Sequence, residues 1–570
     1  MMRLTNECAL RAVFAPTDIR LDMTNSSSQH FDALIIGAGF AGMYQLHLLR
    51  EKLGLNVRVL ETGDGVGGTW YWNRYPGARC DSESHVYCLT FSEELYKNWE
   101  WSERYPQQPE IVRYMNYVAD ELDLKKDIQF NTRVTGAEWD DAAAIWRLRT
   151  ENSGEFTARF LITAVGCLSA ANIPNFPGRD SFQGDWYHTG SWPHEGVDFT
   201  GKRVGLIGTG STGVQATPVI AETAKHLTVF QRTPNYSVPA RNKPLKPEFQ
   251  QWTKDNFAHI RDTTRATPAG HPFWIDDRKA VETPAEEANR LLEDAWAIGG
   301  MQFRAVFKDL MLDVNANKVV ADFVTRKIRE VVKDPETSAK LTAFDHHYST
   351  KRPIIDSEYF EAYNRDNVSL FDVKAAPIEE ITANGIRTAD GTEHALDIII
   401  FATGYDGVTG PLTRLNITGR DGMALTDAWT DGPKTYLGLQ VAGFPNLFTI
   451  TGPQSPSVLT NMPVAIEQHA DWIADCIAHM RASGAEQIEP VPEVMDEWRE
   501  KVQTAAEATL LITAKSSWYL GANVPGKPRA FLAWAGGMHV YRKICEDVVA
   551  NGYEGFTFSG APHKEAAAAE

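Results

Sequence analysis

Residues 31–63, FDALIIGAGFAGMYQLHLLREKLGLNVRVLETG, begin with an unbroken apolar run, break at closely spaced glycines, and resume with apolar positions at helical spacing before a second short apolar run. That order predicts strand, tight turn, helix, strand. Residues 201–233, GKRVGLIGTGSTGVQATPVIAETAKHLTVFQRT, repeat the order at nearly the same lengths. Residues 243–345 lack glycine turns and strand-like alternation. Windows such as ETPAEEANRLLEDAWAIGG and NKVVADFVTRKIREVVKD place apolar residues three and four apart, which predicts an inserted helical subdomain. Further on, DIIIFATGYD reads as a strand buried on both faces running into a glycine turn. Residues 1–30 and 559–570 read as polar or low-complexity tails.

At 570 residues the chain exceeds what one core accommodates, so two or three modules are expected. A formal charge of -18 disfavours nucleic acid and acidic membranes as partners, and a neutral metabolite is easier to reconcile. No apolar run approaches the roughly 20 residues of a membrane span, and the first 30 residues lack a secretory apolar core. The six cysteines form no CxxC pair, so neither a disulfide framework nor a metal site is signalled. A cytoplasmic protein with reduced thiols is the expectation.

Both glycine turns match GxGxxG. In the first, Gly37 permits the tight turn, Gly39 allows backbone to approach a pyrophosphate, and Gly42 lets helix pack on strand. Glu61 follows Gly37 by 24 residues at the end of the second strand, where a carboxylate binds ribose hydroxyls. The second turn is Gly208-Thr209-Gly210-Ser211-Thr212-Gly213. The same count from Gly208 reaches Arg232, preceded by Gln231, so the acid is replaced by a cation suited to a 2'-phosphate. One acid-type and one arginine-type site predict FAD first and NADPH second. The fold class is α/β with two Rossmann-like dinucleotide-binding domains and the helical insert. The FAD domain is expected at 31–155 and 395–558, the NADP domain at 156–242 and 346–394, and the insert at 243–345.

Two chemistries use this plan, disulfide reduction and oxygen activation, and no cysteine pair supports the first. The stretch GGTWYWNRYPGARCD after Glu61, together with FQGDWYHTGSWP at Phe182–Pro193, resembles the type I Baeyer-Villiger monooxygenases. The second stretch fits their fingerprint FxGxxxHxxxW at Phe182, Gly184, His188 and Trp192. The resemblance extends from about residue 31 to residue 545.

It implies flavin-dependent oxidation of ketones to esters or lactones with NADPH and O2 through a C4a-peroxyflavin. A cycle with anionic oxygen species favours a fixed cation that keeps its proton, hence arginine over lysine. The family's Lys-Arg pair after the helical insert matches Lys351 and Arg352. The resemblance assigns Arg352 to anion stabilisation, Lys351 to the 2'-phosphate beside Arg232, and Asp81 to holding Arg352. Asp81 also reads as a helix cap in Asp81-Ser82-Glu83-Ser84. Thr69, Trp70, Tyr71, Trp72, Tyr87 and the backbone at Val134 match FAD-contact positions, and Trp518 in SSWYLGANVPGKP matches a loop that closes over NADP. The GPQSPS segment is similar to members acting on aryl, steroid and large-ring ketones. Gly184 and His188 are expected as hinge and linker contacts. The alternative is an N- or S-oxygenating flavin monooxygenase, and monomer and homodimer are equally open.

Overall fold

The computed structural model describes residues 29–560, and two sheets organise it. The larger has eight strands. Seven run in the order Ile417–Thr418, Val134–Asp140, Ile145–Thr150, Glu155–Thr163, Gln29–Ile36, Val57–Leu60 and Ile128–Gln129, and Leu447–Thr449 also pairs with Glu155–Thr163. The smaller is wholly parallel, in the order Val368–Asp372, His226–Gln231, Arg203–Ile207, Ile398–Phe401 and Asp185–His188. Each sheet contains one of the two predicted strand-turn-helix-strand units. Their helices are Phe40–His47, continued through a wider turn to Lys52, and Ser211–Thr223.

The larger sheet is covered on both sides. One core gathers Met43, Leu46, Ile111, Val118, Ile473 and Tyr541 from the covering helices. The other packs Trp139, Trp146, Phe156 and Leu447. The smaller sheet rests one face on Val320, Phe323, Val324 and Ile328, the buried stripe of helix Val314–Val331, and the other on a small cluster with Ile399 and Phe401. Asp313 caps that helix, accepting from the Asn315 and Ala316 N–H groups, which fixes where its apolar stripe begins.

Three sequence expectations change. The strand Glu155–Thr163, assigned to the second domain from residue 156, pairs with Gln29–Ile36 in the first sheet. Ile398–Phe401, assigned to the first domain from residue 395, lies in the second sheet between Arg203–Ile207 and Asp185–His188. A strand buried on both faces carries the same apolar run in either sheet, so the pattern yields its existence and not its neighbours. The helical insert has no core of its own either. Phe257 packs into the first core, whereas Ala288, Leu292, Phe323 and Leu341 belong to the second.

The fingerprint segment is less a linker than an edge. Asp185–His188 is the outer strand of the smaller sheet, in register with Ile398–Phe401. Gly184 is a packing glycine: a Cβ there would stand 2.3 Å from the Asp397 carbonyl and 2.7 Å from the Phe182 ring. Most of the two tails falls outside the described residues, although Gln29 and His30 open the first strand and Ser559 closes another. Five cysteines are buried and free, and Cys8 lies outside the described residues. No helix among the described residues is long and apolar enough to cross a membrane.

Candidate active site

The two glycine turns are built alike. Gly37 and Gly208 adopt φ of +104° and +116°, and a Cβ on either would meet a carbonyl oxygen of a neighbouring strand exit, Ala164 at 2.7 Å and Ala402 at 2.4 Å. Gly42 and Gly213 face the carbonyls of Gly37 and Gly208 at 1.8 and 2.1 Å from the hypothetical Cβ, so helix and strand close only on glycine. The middle glycines differ. Gly39 would touch only Gly68 backbone, at 3.5 Å, and Gly210 would touch nothing within 4 Å. Protein contacts therefore do not require these two glycines. A cradle left open at the start of a helix fits a dinucleotide pyrophosphate. Ser211 and Thr212 open the helix, and Thr209 donates to the Thr233 carbonyl at 2.9 Å.

Glu61 is buried, and its two oxygens accept the Ala38 and Gly63 N–H groups at 2.7 Å each. Burial pushes this carboxyl up against those bonds. Each oxygen retains a second acceptor position, which suits ribose hydroxyls. Val134 opens a strand on the same side, since Thr132 N–H donates to the Glu61 carbonyl at 2.8 Å.

The aromatic motif joins this turn through the Gly67 N–H, which donates to the Ala38 carbonyl at 3.0 Å. A single helical turn, Thr69–Trp72, follows. Trp70 Nε1 donates to the Tyr87 hydroxyl at 3.1 Å, and the two rings meet edge to face. The Tyr71 hydroxyl donates to Asp64 at 2.6 Å, and a Cβ on Gly63 would stand 2.6 Å from its ring. Thr69 is exposed and Trp72 half-buried.

Arg352 and Asp81, 271 residues apart, form a two-point pair: Nε donates to Oδ2 at 2.9 Å and Nη2 to Oδ1 at 2.7 Å. The third anchor is the Val458 carbonyl, which accepts from Nη1 at 2.6 Å. Burial by itself would raise the Asp81 carboxyl, but the charge and hydrogen bonds of Arg352 outweigh it and hold it below the ordinary range. Burial likewise opposes the guanidinium charge, and Asp81 more than restores it. Asp81 caps nothing: the short turn Ser84–Val86 begins after Glu83, without a side-chain cap. With three of five N–H groups used, Arg352 keeps two to offer an oxygen ligand.

Arg232 is exposed and makes no ion pair among the described residues, while Lys351 is half-buried. Burial lowers the Lys351 pKa, Asp345 opposes that, and the charge of Arg232 adds to the lowering, so the two cations are close enough to repel. Two adjacent cations suit a phosphate dianion. Asp345, 3.8 Å from Lys351, is an acid the sequence reading missed. Gln231 does not join them; it is buried, and its amide donates to the Lys340 carbonyl at 3.0 Å.

Trp518 packs against Gly407, where a Cβ would stand 2.9 Å from its ring. The following loop is tied to the same turn, with Lys527 Nζ 2.6 Å from Asp406 and Asn523 Nδ2 2.8 Å from the Tyr405 carbonyl. Tyr405 also meets the fingerprint His188 edge to face, and its hydroxyl donates to Asn73 just after the aromatic motif. His188 Nδ1 accepts from the Gly190 N–H at 3.0 Å. Asn73, Asn523 and Lys527 lie in motifs the sequence singles out, and Tyr405 and Asp406 close the DIIIFATGYD stretch, but their mutual contacts carry no sequence signal. Near Arg352 lie three further groups that sequence reasoning missed. Tyr519 interacts with Arg352 and Arg304. His271 is pushed down to about 4 by burial and then by the charge of Arg352, and Arg304 is the third group.

A model of the FMO-like family, flavin-binding monooxygenase-like, matches residues 32–242. The chain is 44% identical to a Baeyer-Villiger monooxygenase of Pseudooceanicola batsensis, over 94% of this chain and 98% of that protein. It is also 44% identical to an acetone monooxygenase (methyl acetate-forming) of a Gordonia species, over 94% and 100%. A solved structure of an oxidised steroid monooxygenase bound to NADP superimposes with TM-score 0.89 at 48% identity, covering 94% of this chain and all of that one.

Proposed function

The chain belongs to the type I Baeyer-Villiger monooxygenases, and from that premise we propose that Arg352, held by Asp81 and Val458, is the group that stabilises negative charge on oxygen during ketone oxidation. It is an oxidoreductase that uses FAD and NADPH to convert ketones to esters or lactones. Bound FAD, reduced by NADPH, supplies the oxygen-transfer chemistry; the oxygen donor is O2.

The chain's own residues bind, orient and hold charge. The Gly37–Gly42 cradle with Glu61 takes the flavin dinucleotide. The Gly208–Gly213 cradle takes NADPH, with Arg232 and Lys351 at its 2'-phosphate. The observation that carries the reading is the Arg352–Asp81 pair. Its two bonds fix the guanidinium plane, so the two free N–H groups need no reorganisation when charge develops, which is the condition under which such donors accelerate a step most. Asp81 also compensates the charge of the partly buried Arg352.

The GPQSPS segment places the Val458 carbonyl on Arg352, and Ser455 and Ser457 within it are fully buried. We assign the substrates to bulkier ketones on the form of that segment. The N- or S-oxygenating reading has less support, because the relatives' names include ketone oxidation.

The test is product analysis by mass spectrometry over aryl, long-chain and cyclic ketones with NADPH and O2. Wild-type protein is expected to give esters or lactones. Arg352→Ala is expected to retain bound FAD while ester formation falls by about a hundredfold or more. Retained ester formation in that variant removes Arg352 from the reaction, and oxidation of amines in preference to every ketone removes the ketone assignment.

A further inference from the structure

Arg304 is a charge without a partner. It lies in the short turn Met301–Ala305 that precedes the insert's longest helix, and its Nε is buried with no hydrogen-bond acceptor. No ion pair to it occurs among the described residues. The chain holds it in place on both sides. The Asp276 N–H donates to the Ala305 carbonyl at 2.8 Å, and the Phe303 ring meets Tyr348 edge to face at 6.0 Å. The residue as a whole is half-buried, but its Nε–H is shut off from water without an acceptor among the described residues, and a donor left so is costly, so its retention calls for a partner.

The groups that act on it cannot supply one. They are Tyr519, Tyr348, Arg352 and Asp81. Asp81 spends both oxygens on Arg352, leaving that pair neutral. Glu83, also nearby through His271, is paired with Arg104 at 2.6 Å. His271 is uncharged at neutral pH, and both tyrosines keep their protons through burial. The group around Arg352 and Arg304 therefore carries one net positive charge. A second donor points the same way: the Tyr348 hydroxyl belongs to a residue 1% exposed and has no partner among the described residues.

We propose that Arg304, with the Tyr348 hydroxyl beside it, binds an oxygen-centred anion next to Arg352, as a second cation of the site. This deepens the ketone-oxidation reading and rests on it. Two sources share the chemistry, a carboxylate on the ketone substrate and the negative charge that develops on oxygen during the reaction.

Holoenzyme variants Arg304→Met, Arg304→Gln and Arg304→Lys distinguish them, assayed with 4-oxocyclohexanecarboxylate and its neutral counterpart 4-methylcyclohexanone. A substrate carboxylate predicts that the neutral variants lose about tenfold or more in kcat/KM for the oxo acid alone, with Lys restoring it. Binding of the oxo acid then raises the melting temperature of wild type and not of Arg304→Met. A reaction-borne charge predicts that kcat falls about tenfold or more for both ketones at unchanged KM, again with recovery by Lys. In either case Arg304→Met melts higher than wild type without substrate, because a buried N–H without an acceptor has gone. Three results overturn the proposal: a lower melting temperature with both ketones turned over as before, a loss that follows weakened NADP+ binding measured by calorimetry, or a Lys variant no better than Met. Failure of wild type to oxidise either ketone, or any ketone of the wider panel, would instead count against the ketone reading itself.

Discussion

Arg352 and Arg232 stand in contrasting surroundings, which suit the different tasks proposed for them. Arg352 is fixed at three points and keeps its charge because Asp81 compensates its burial. Arg232 is exposed and makes no ion pair among the described residues, and gains meaning only from Lys351 nearby and from its place at the end of strand His226–Gln231. The contribution we propose for it is a charge-assisted contact to a 2'-phosphate that NADH lacks. Arg232→Ala should therefore raise the KM for NADPH by about tenfold or more and leave the KM for NADH nearly unchanged. Steady-state kinetics with both nucleotides checks this, and equal changes would remove Arg232 from phosphate recognition. At this scale the sequence was highly informative. The glycines, Glu61, Arg232, Lys351, Arg352 and Asp81 are legible from order and spacing together with the family resemblance. The protein contacts of Gln231 and Tyr71, an amide on the Lys340 carbonyl and a hydroxyl on Asp64, are ones that a linear pattern does not encode.

The element that delivers Arg352 is a short one. Strand Ile354–Asp356 pairs in parallel with Ser237–Pro239, and Asp356 is buried at its end with the Ser237 hydroxyl donating to it at 2.6 Å. Burial pushes the Asp356 carboxyl up to about 7, against the help of that hydrogen bond. Between its ordinary value near 4 and pH 7 the folded chain holds a proton that the unfolded chain has released. The stabilisation is thus complete at the acid end of that window and is lost as pH rises through 7. Asp356→Asn has no proton to lose. Its melting temperature should exceed that of wild type by a few degrees at pH 8, with the difference closing toward pH 5. Thermal melts across that range decide the matter, and a difference constant with pH would show that Asp356 stays ionised. Elements of this kind were hard to read from sequence. Three-residue strands lack a period, whereas the long strand-turn-helix-strand units declare themselves.

Across the whole molecule, the turn after strand Ile398–Phe401 is a meeting point. Tyr405 touches His188 of the fingerprint and donates to Asn73, Asp406 and Gly407 bind Lys527, and Trp518 rests on Gly407. The C-terminal loop is therefore attached to both sheets through a handful of polar contacts. Lys527→Ala should loosen it, so that residues 516–530 are cut faster in limited proteolysis and NADP+ binds several-fold more weakly. Lys527→Arg should restore both, and an unchanged cleavage rate would show that the ion pair does not hold the loop.

The sequence by itself determined the two dinucleotide units, the helical character of residues 243–345, the family, and the chemical types in the site. Those follow from local order, because a turn that only glycine allows and a run that only a strand or helix uses are fixed by near neighbours. The tertiary structure decided which sheet each buried strand joins, that the helical insert divides between two cores, and that Asp81 meets Arg352 across 271 residues. It also decided that the Arg304 Nε is buried without an acceptor among the described residues. Pairing and burial depend on what lies across the fold, and residues far apart in the chain carry no mark of each other until the packing of the two sheets brings them together.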